Sequence, residues 1–335
     1  MKKFLTVIVT AIMCALCALG VAGCKKDGEK WQVYVPDGAP ALALAPLMVG
    51  GYFAPEQEFG YSVVQATAIQ AYVTGESPKA DLCVLPVNAA VKILGNGEKY
   101  KMLGTVTHGN LFIMKKQGGE DISSPSDLTK LVGKTVGVIS LANVPGLTFK
   151  VILRDAGLEF VDLKDGAAAV ADKVNLKNID AQEALPSNSS CDYFVVPEPA
   201  ASTKTSATGG KLSIAGSLQT LYGGDDGYPQ AVLVAKNEII EKSEKGVRAF
   251  MEDLEADTVN GEPEYERWVN AINAHFSDGG KSSLNAQNLS QTVVKNCGIR
   301  FERNASGKQK VIDFIQKLNA VSNASWGMPS ETFFF

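Results

Sequence analysis

His108 and His275 are the only histidines in the chain, and neither sits in a pattern that does chemistry. An HExxH helix would place two imidazoles on one face to hold zinc, and an activated nucleophile would need a Ser or Cys paired with a base; neither arrangement is present. Asp225 and Asp226 in GGDDG could open a calcium loop, but the ligands that should follow are missing, so a solvated turn is expected. Cys83, Cys191 and Cys297 match no metal or redox spacing. Buried free thiols are expected, with a Cys83 to Cys297 bridge as the alternative in an exported protein. No catalytic residue, metal or cofactor follows from these residues, which leaves hydrogen bonding to a guest.

The elements that would position such residues repeat. ADLCVLPVNAAV (80–91) and CDYFVVPEPAAS (191–202) share an Asp, four apolar or aromatic residues, Pro, two variable positions and Ala-Ala. VYVPDGAPALAL and VGVISLANVPGL answer each other in the same order, with Pro40 and Pro145 each opening a helix after a strand. Strands alternating with helices mean βα units and mainly parallel sheets. The shared order of the parts predicts two related α/β lobes. Asp81 and Asp192 begin their strands and are expected to be sheet-edge residues. Pro46 should kink or shorten the helix that starts near Pro40. Two later stripes, Val247, Phe250, Met251, Leu254 and Val311, Phe314, Ile315, Leu318, read as helical core faces. The tail PSETFFF reads as a strap laid on the surface.

In an open α/β sheet, ligands bind outside the carboxyl ends of the strands. That edge should hold Asp37, Gly38, Ala39, Thr67, Val87 and Asn88 in one lobe, and Asn143, Val144, Pro145, Gly146, Glu198 and Pro199 in the other. The chain should cross between lobes at GTVTHGN (104–110) and GYPQ (227–230), where Gly and Pro absorb or fix backbone rotation. Residues 31–109 plus 230–335 then form one lobe and 110–229 the other. His108, at a crossing, is either a ligand group or a structural histidine.

The first residues place this pair of lobes outside the cytoplasm. MKKFLTVIVTAIMCALCALGVAGC has two lysines, an apolar run and a small-residue end, the order of a secretory signal (1–23) rather than of a membrane span. Val21-Ala22-Gly23-Cys24 resembles a bacterial lipobox, which implies a diacylated Cys24, a short polar tether (24–30) and lasting membrane attachment. The chain carries 32 basic and 36 acidic residues, a net −4, and loss of the leader removes Lys2 and Lys3. A nucleic-acid partner, which wants a basic face, is not expected.

The order SPSDLTKLVGKTVGV, VPGLTFKVILRDAGL, DYFVVPEPAAS, YPQAVLVAK, together with the lipobox, resembles the extracytoplasmic solute-binding proteins of bacterial ABC importers. The similar group is the NMT1-like one that includes aliphatic-sulfonate, taurine and thiamine-pyrimidine binders. The resemblance implies a two-lobed type II periplasmic-binding-protein fold, each lobe a mainly parallel sheet flanked by helices with the ligand cleft between. A monomer handing a small solute to a permease and its ATPase is implied as well. It maps ligand loops onto Asp37 to Pro40, Asn88, Thr107, His108, Asn110, Asn143, Val144, Pro145, Gly146, Glu198 and Tyr228. In relatives the Glu of the Glu-Pro pair can hold an amine; the alternative for Glu198 is a carboxylate at a helix start.

The candidate loops contain no Arg or Lys, so a guanidinium-held anion is not expected. Glu198, Asn88, Asn143, His108 and Tyr228 favour a small, polar, amine-bearing or heteroaromatic solute, with Tyr222 and Tyr228 as stacking faces. A ligand-sensing lipoprotein needs the same cleft and stays open as an alternative. An enzyme of pyrimidine or menaquinone-precursor synthesis on the same fold is the weaker one.

Overall fold

The computed structural model describes residues 30–50, 58–224, 226–260, 263–322 and 326–335. The signal peptide, Cys24, the tether up to residue 29 and Asp225 lie outside them. In chain order, β1 (Trp31–Pro36), α1 (Ala39–Gly50), β2 (Phe59–Val64), β3 (Leu82–Pro86), α2 (Val87–Leu94) and β4 (Tyr100–Thr107) come first. Then follow β5 (Leu111–Lys116), β6 (Thr135–Ile139), α3 (Val144–Asp155), β7 (Phe160–Asp162), β8 (Val174–Ile179), β9 (Tyr193–Pro197), α4 (Ala200–Ala207), β10 (Leu212–Ser217) and α5 (Leu218–Gly223). The chain closes with β11 (Ala231–Lys236), α6 (Asn237–Lys242), α7 (Glu244–Asn260), α8 (Tyr265–Ala274), α9 (Gln291–Asn296), β12 (Ile299–Arg303) and α10 (Asn304–Asn319).

The strands form two six-stranded sheets, β12-β4-β11-β3-β1-β2 and β10-β5-β9-β6-β8-β7. The repeat seen in the sequence is the repeat of the sheets. β3 lies between parallel β1 and antiparallel β11, and β9 lies between parallel β6 and antiparallel β5. The reversed interior strand of each sheet has one cause. β5 and β11 are the strands by which the chain enters a sheet from the other one, and an entry at the carboxyl edge can only run back toward the amino edge. Register fixes where those entries are, with Leu111 opposite Pro197 and Ala231 opposite both Pro86 and Thr107.

Helix α1 is apolar around its whole circumference and buried from Ala39 through Leu47 apart from Pro40 and Pro46, which suits a helix enclosed by neighbours. It packs on α7 and α8. The helix runs through Pro46 to Gly50, because packing on several sides offsets the single backbone bond that proline cannot donate. Both predicted stripes are core faces: Val247, Phe250, Met251 and Leu254 on α7, and Val311, Phe314, Ile315 and Leu318 on α10, are all buried. The three described cysteines are buried free thiols. The tail is more than a surface strap: Phe333 is buried and the Phe335 N–H donates to Met102 O at 2.9 Å. Asn304 Nδ2 holds Phe335 O at 3.1 Å. No helix among the described residues is long and apolar enough to cross a membrane.

Candidate functional site

The carboxyl edges of the two sheets meet where the chain crosses between them. One crossing is His108-Gly109-Asn110, between β4 and β5, and the other runs from α5 to β11 through Gly227 and Tyr228. They are laced to each other and to both helix starts. Gln230 N–H donates to Thr107 O at 2.9 Å and Val87 N–H to Gln230 O at 2.9 Å. Glu198 N–H donates to Asn110 O at 2.7 Å, and Asn110 Nδ2 returns a bond to Glu198 O at 3.1 Å.

Three glycines make this close lacing possible. Gly109, Gly227 and Gly298 all have positive φ (74°, 62° and 61°), a conformation that side chains strain. There is also no room for one: a Cβ on Gly298 would stand 2.3 Å from Gly109 O, and on Gly227 2.3 Å from His108 O.

Beside the crossings lies a cavity of about 430 Å³ with walls from both sheets. Gln70, Asn88, Ala89 and Lys92 come from the first sheet's edge, and Leu141, Ala142, Asn143, Asp162 and Asn178 from the second's. Leu147 and Lys150 of α3, and Ser322 and Trp326 beyond α10, complete the lining. The loop from β6 to α3 is tightly set. Ser140 has φ 60°, Leu141 N–H donates to Asn178 Oδ1 at 3.0 Å, and a Cβ on Gly146 would meet Leu141 O at 1.9 Å. That turn is what aims Leu141 through Asn143 at the gap. A similar volume, about 440 Å³, lies over Glu264–Asn270. It is bounded by α8 and the residue before it, and lies away from both crossings.

No family model and no curated protein sequence matches the chain. Its likeness is to solved structures. An ABC transporter structure from Parabacteroides distasonis superposes with a TM-score of 0.68 at 18% identity, over 91% of this chain and 98% of that one. The periplasmic aliphatic sulphonate binding protein SsuA from Escherichia coli gives 0.62 at 14% identity, over 92% of each. The Candida albicans CA3427 gene product, described as having the generic periplasmic binding protein structural fold, gives 0.55 at 10% identity, over 88% and 92%.

The chain has the periplasmic-binding-protein fold.

Within this periplasmic-binding-protein fold the sequence-derived residues separate into three places. Asn88 and Asn143 line the cavity. Asn88 is buried with Oδ1 unpartnered, and Asn143 starts α3 without a side-chain cap bond. Val144 and Gly146 are buried behind them and Pro145 is half-buried in the first turn.

Thr107, His108, Asn110, Glu198 and Tyr228 belong to the knot of crossings and are all buried. His108 N–H donates to Gly298 O at 2.8 Å, its Nδ1 lies 3.7 Å from Glu302 Oε2, and its Nε2 has no partner. Burial, then Arg300 and Lys310, pushes its pKa down to about 3, so the ring is neutral at pH 7. The Glu198 carboxylate accepts from Ser202 N–H at 2.9 Å and from Ser202 Oγ at 2.6 Å. It therefore serves the start of α4, the second of its two expected roles, and does not line the cavity. Tyr228 stacks on Phe314 at 5.4 Å and meets Tyr222 edge-on at 5.5 Å, while Lys317 covers Tyr222 at 4.7 Å. Tyr222 and Tyr228, expected as stacking faces for a solute, are here faces for one another and for Phe314.

Asp37, Gly38, Ala39, Pro40 and Thr67 form the third place, on the first sheet's edge outside the cavity wall. The Asp37 carboxylate accepts from Ser282 Oγ at 2.5 Å and Ser283 N–H at 2.8 Å, pinning the 282–284 loop. Thr67 is exposed in the turn after β2.

Sequence reasoning missed Lys92, Lys150, Asp162, Asn178 and Trp326. The two lysines matter most, because the expected polarity of the site rested on loops free of Arg and Lys. Both stand within helices, beyond the first turn, where one face of the helix still borders the gap. Their spacing from Asn88 and from Leu147 was the available signal: i, i+4 and i, i+3 put them on the same faces.

Proposed function

We propose that the chain is the substrate-binding component of an ABC importer. It is exported, held to the membrane by lipidated Cys24, and closes residues 31–109 plus 230–335 and residues 110–229 on a small polar organic solute for delivery to a permease. The observation that carries this reading is the cavity between the carboxyl edges of the two sheets, set beside the crossings 108–110 and 227–230. A volume of about 430 Å³ falls in the range that holds a small organic molecule. Paired crossings with tightly set glycines supply the hinge that capture needs. The likeness to an ABC transporter structure and to a sulphonate-binding protein supports the same class. The protein acts as a binder with no catalytic step of its own.

Small-angle X-ray scattering and thermal denaturation with a dialysed metabolite extract test this. A bound solute lowers the radius of gyration and raises Tm; no change in either with any extract rejects solute capture. Cys24→Ser releases the protein from membranes into the soluble fraction, and persistent membrane attachment of that variant rejects the anchor.

A further inference from the structure

Lys150 lies on the second turn of α3, buried, with 5% of its side chain exposed, yet it lines the cavity. Its Nζ donates to Asp162 Oδ2 at 2.6 Å and stands 5.9 Å from the Phe160 ring. An ammonium carries three donors, and among the described residues this ion pair takes one. Two are left, on a residue that lines the cavity. Asp162, at the end of β7, is the sole carboxylate on the cavity wall, while Lys92 of α2 adds a second ammonium from the opposite sheet. Asn143 brings an uncapped amide and the N-terminus of α3 to the same wall. That end of a helix favours negative charge.

Building on the solute-binding reading, we infer that the captured solute carries an anionic head, gripped by Lys150 with Lys92 facing it across the gap. Asp162 is a positioning residue: it fixes the ammonium of Lys150 but leaves the wall with one positive charge in excess. The lining also carries Leu141, Leu147 and Trp326. Trp326 is held in place by Asn319 through bonds of 3.1 and 3.2 Å. The solute is thus an organic anion with a compact apolar or ring-bearing body. The same arrangement couples charge to closure. Lys92 and Lys150 belong to different sheets and repel each other as the gap narrows, and an anion between them turns that repulsion into a bridge.

The test divides a metabolite extract on an anion exchanger and offers the retained and unretained fractions separately to the full mature chain, with Tm as the readout. The retained fraction raises Tm, and mass spectrometry of the released solute shows an anion. With that solute, Lys150→Gln weakens calorimetric affinity ~10- to 100-fold, the usual scale for a lost charged hydrogen bond. Lys150→Arg keeps affinity within a few fold. Should Lys150→Gln fail to fold, Lys92→Gln carries the test, since Lys92 is exposed and its loss also weakens binding. Stabilisation by the unretained fraction, unaltered in both glutamine variants, overturns the anionic head and leaves solute capture standing. Stabilisation by neither fraction overturns both.

Discussion

Asp81 and Asp192 occupy the same position in two different sheets and make the same pair of bonds. Asp81 accepts from Gln32 N–H through Oδ2 at 2.8 Å and donates its own N–H to Gln32 O at 2.9 Å. Asp192 accepts from Thr135 N–H at 2.8 Å and donates to Thr135 O at 2.7 Å. Each ring joins the start of a β3-type strand to the start of the strand beside it, at the amino edge, far from the gap. Replacing Asp192 with Ala leaves a nearly buried N–H unpaired, which costs about 1–2 kcal/mol. Solute affinity is unchanged. Urea denaturation and calorimetry read the two effects separately, and an unaltered urea midpoint would sink the idea that the ring fastens the sheet.

Glu198 makes the opposite test, because its sequence position invites a role in recognition. With both carboxylate oxygens on Ser202, Glu198→Ala leaves the start of α4 without its acceptor and lowers stability by roughly 1–3 kcal/mol. Ser202→Ala shows part of the same loss. An Ala variant of full stability that no longer binds solute would return Glu198 to the binding site.

Gly298→Ala places a methyl 2.3 Å from Gly109 O in a backbone of φ 61°. The positive φ alone costs about 1–3 kcal/mol, and the clash adds to it by moving one crossing off the other. A fall in Tm of several degrees is expected, with altered scattering in the absence of solute. A variant that melts with the parent would mean that the crossings are looser than their bonds imply.

His108 sets a pH dependence. Its folded pKa, about 3, is depressed from 6.5 by burial first and then by Arg300 and Lys310. Below pH 6.5 the unfolded chain takes up a proton that the folded chain refuses. The contribution is therefore full above pH 6.5 and is lost as pH falls toward 3. His275 is lowered as well, by burial and Lys30, and acts in the same direction. His108→Gln flattens the slope of unfolding free energy between pH 6.5 and 5, where few carboxylates titrate; an unchanged slope there would show that the ring does not titrate on unfolding.

Much of the architecture was legible because short-range signals agreed with it. DLCVLPVNAA and DYFVVPEPAA are both a buried strand running into a helix, and their equivalence in the sheets follows from their equivalence in sequence. The short strands β7 and β8 carry weaker patterns: VNLKNI alternates only in part, and the strand holds through pairing with β6. The site was less legible. Asn88 and Asn143 could be placed from the edge rule, since they follow strand ends directly. Lys150 follows no strand end, and its i, i+3 spacing from Leu147 is a weak signal, because a lysine in the middle of a helix usually points to water; the packing of α3 between its sheet and α10 decides that this one borders a cavity. Glu198 and Tyr228 lie at the crossings, where Ser202 takes up the Glu198 carboxylate and Phe314 stacks on the Tyr228 ring.

The register of the first crossing has a practical outcome. Thr107 and Ala231 are side-by-side partners in one sheet, so the 123 residues between them leave and return at a single point, like a guest module inserted into a hairpin. A short turn bridging those two positions would excise that insert and lay bare Val87, Phe314 and Ile315, which now share one apolar cluster with Val144 and Leu147 of the excised part.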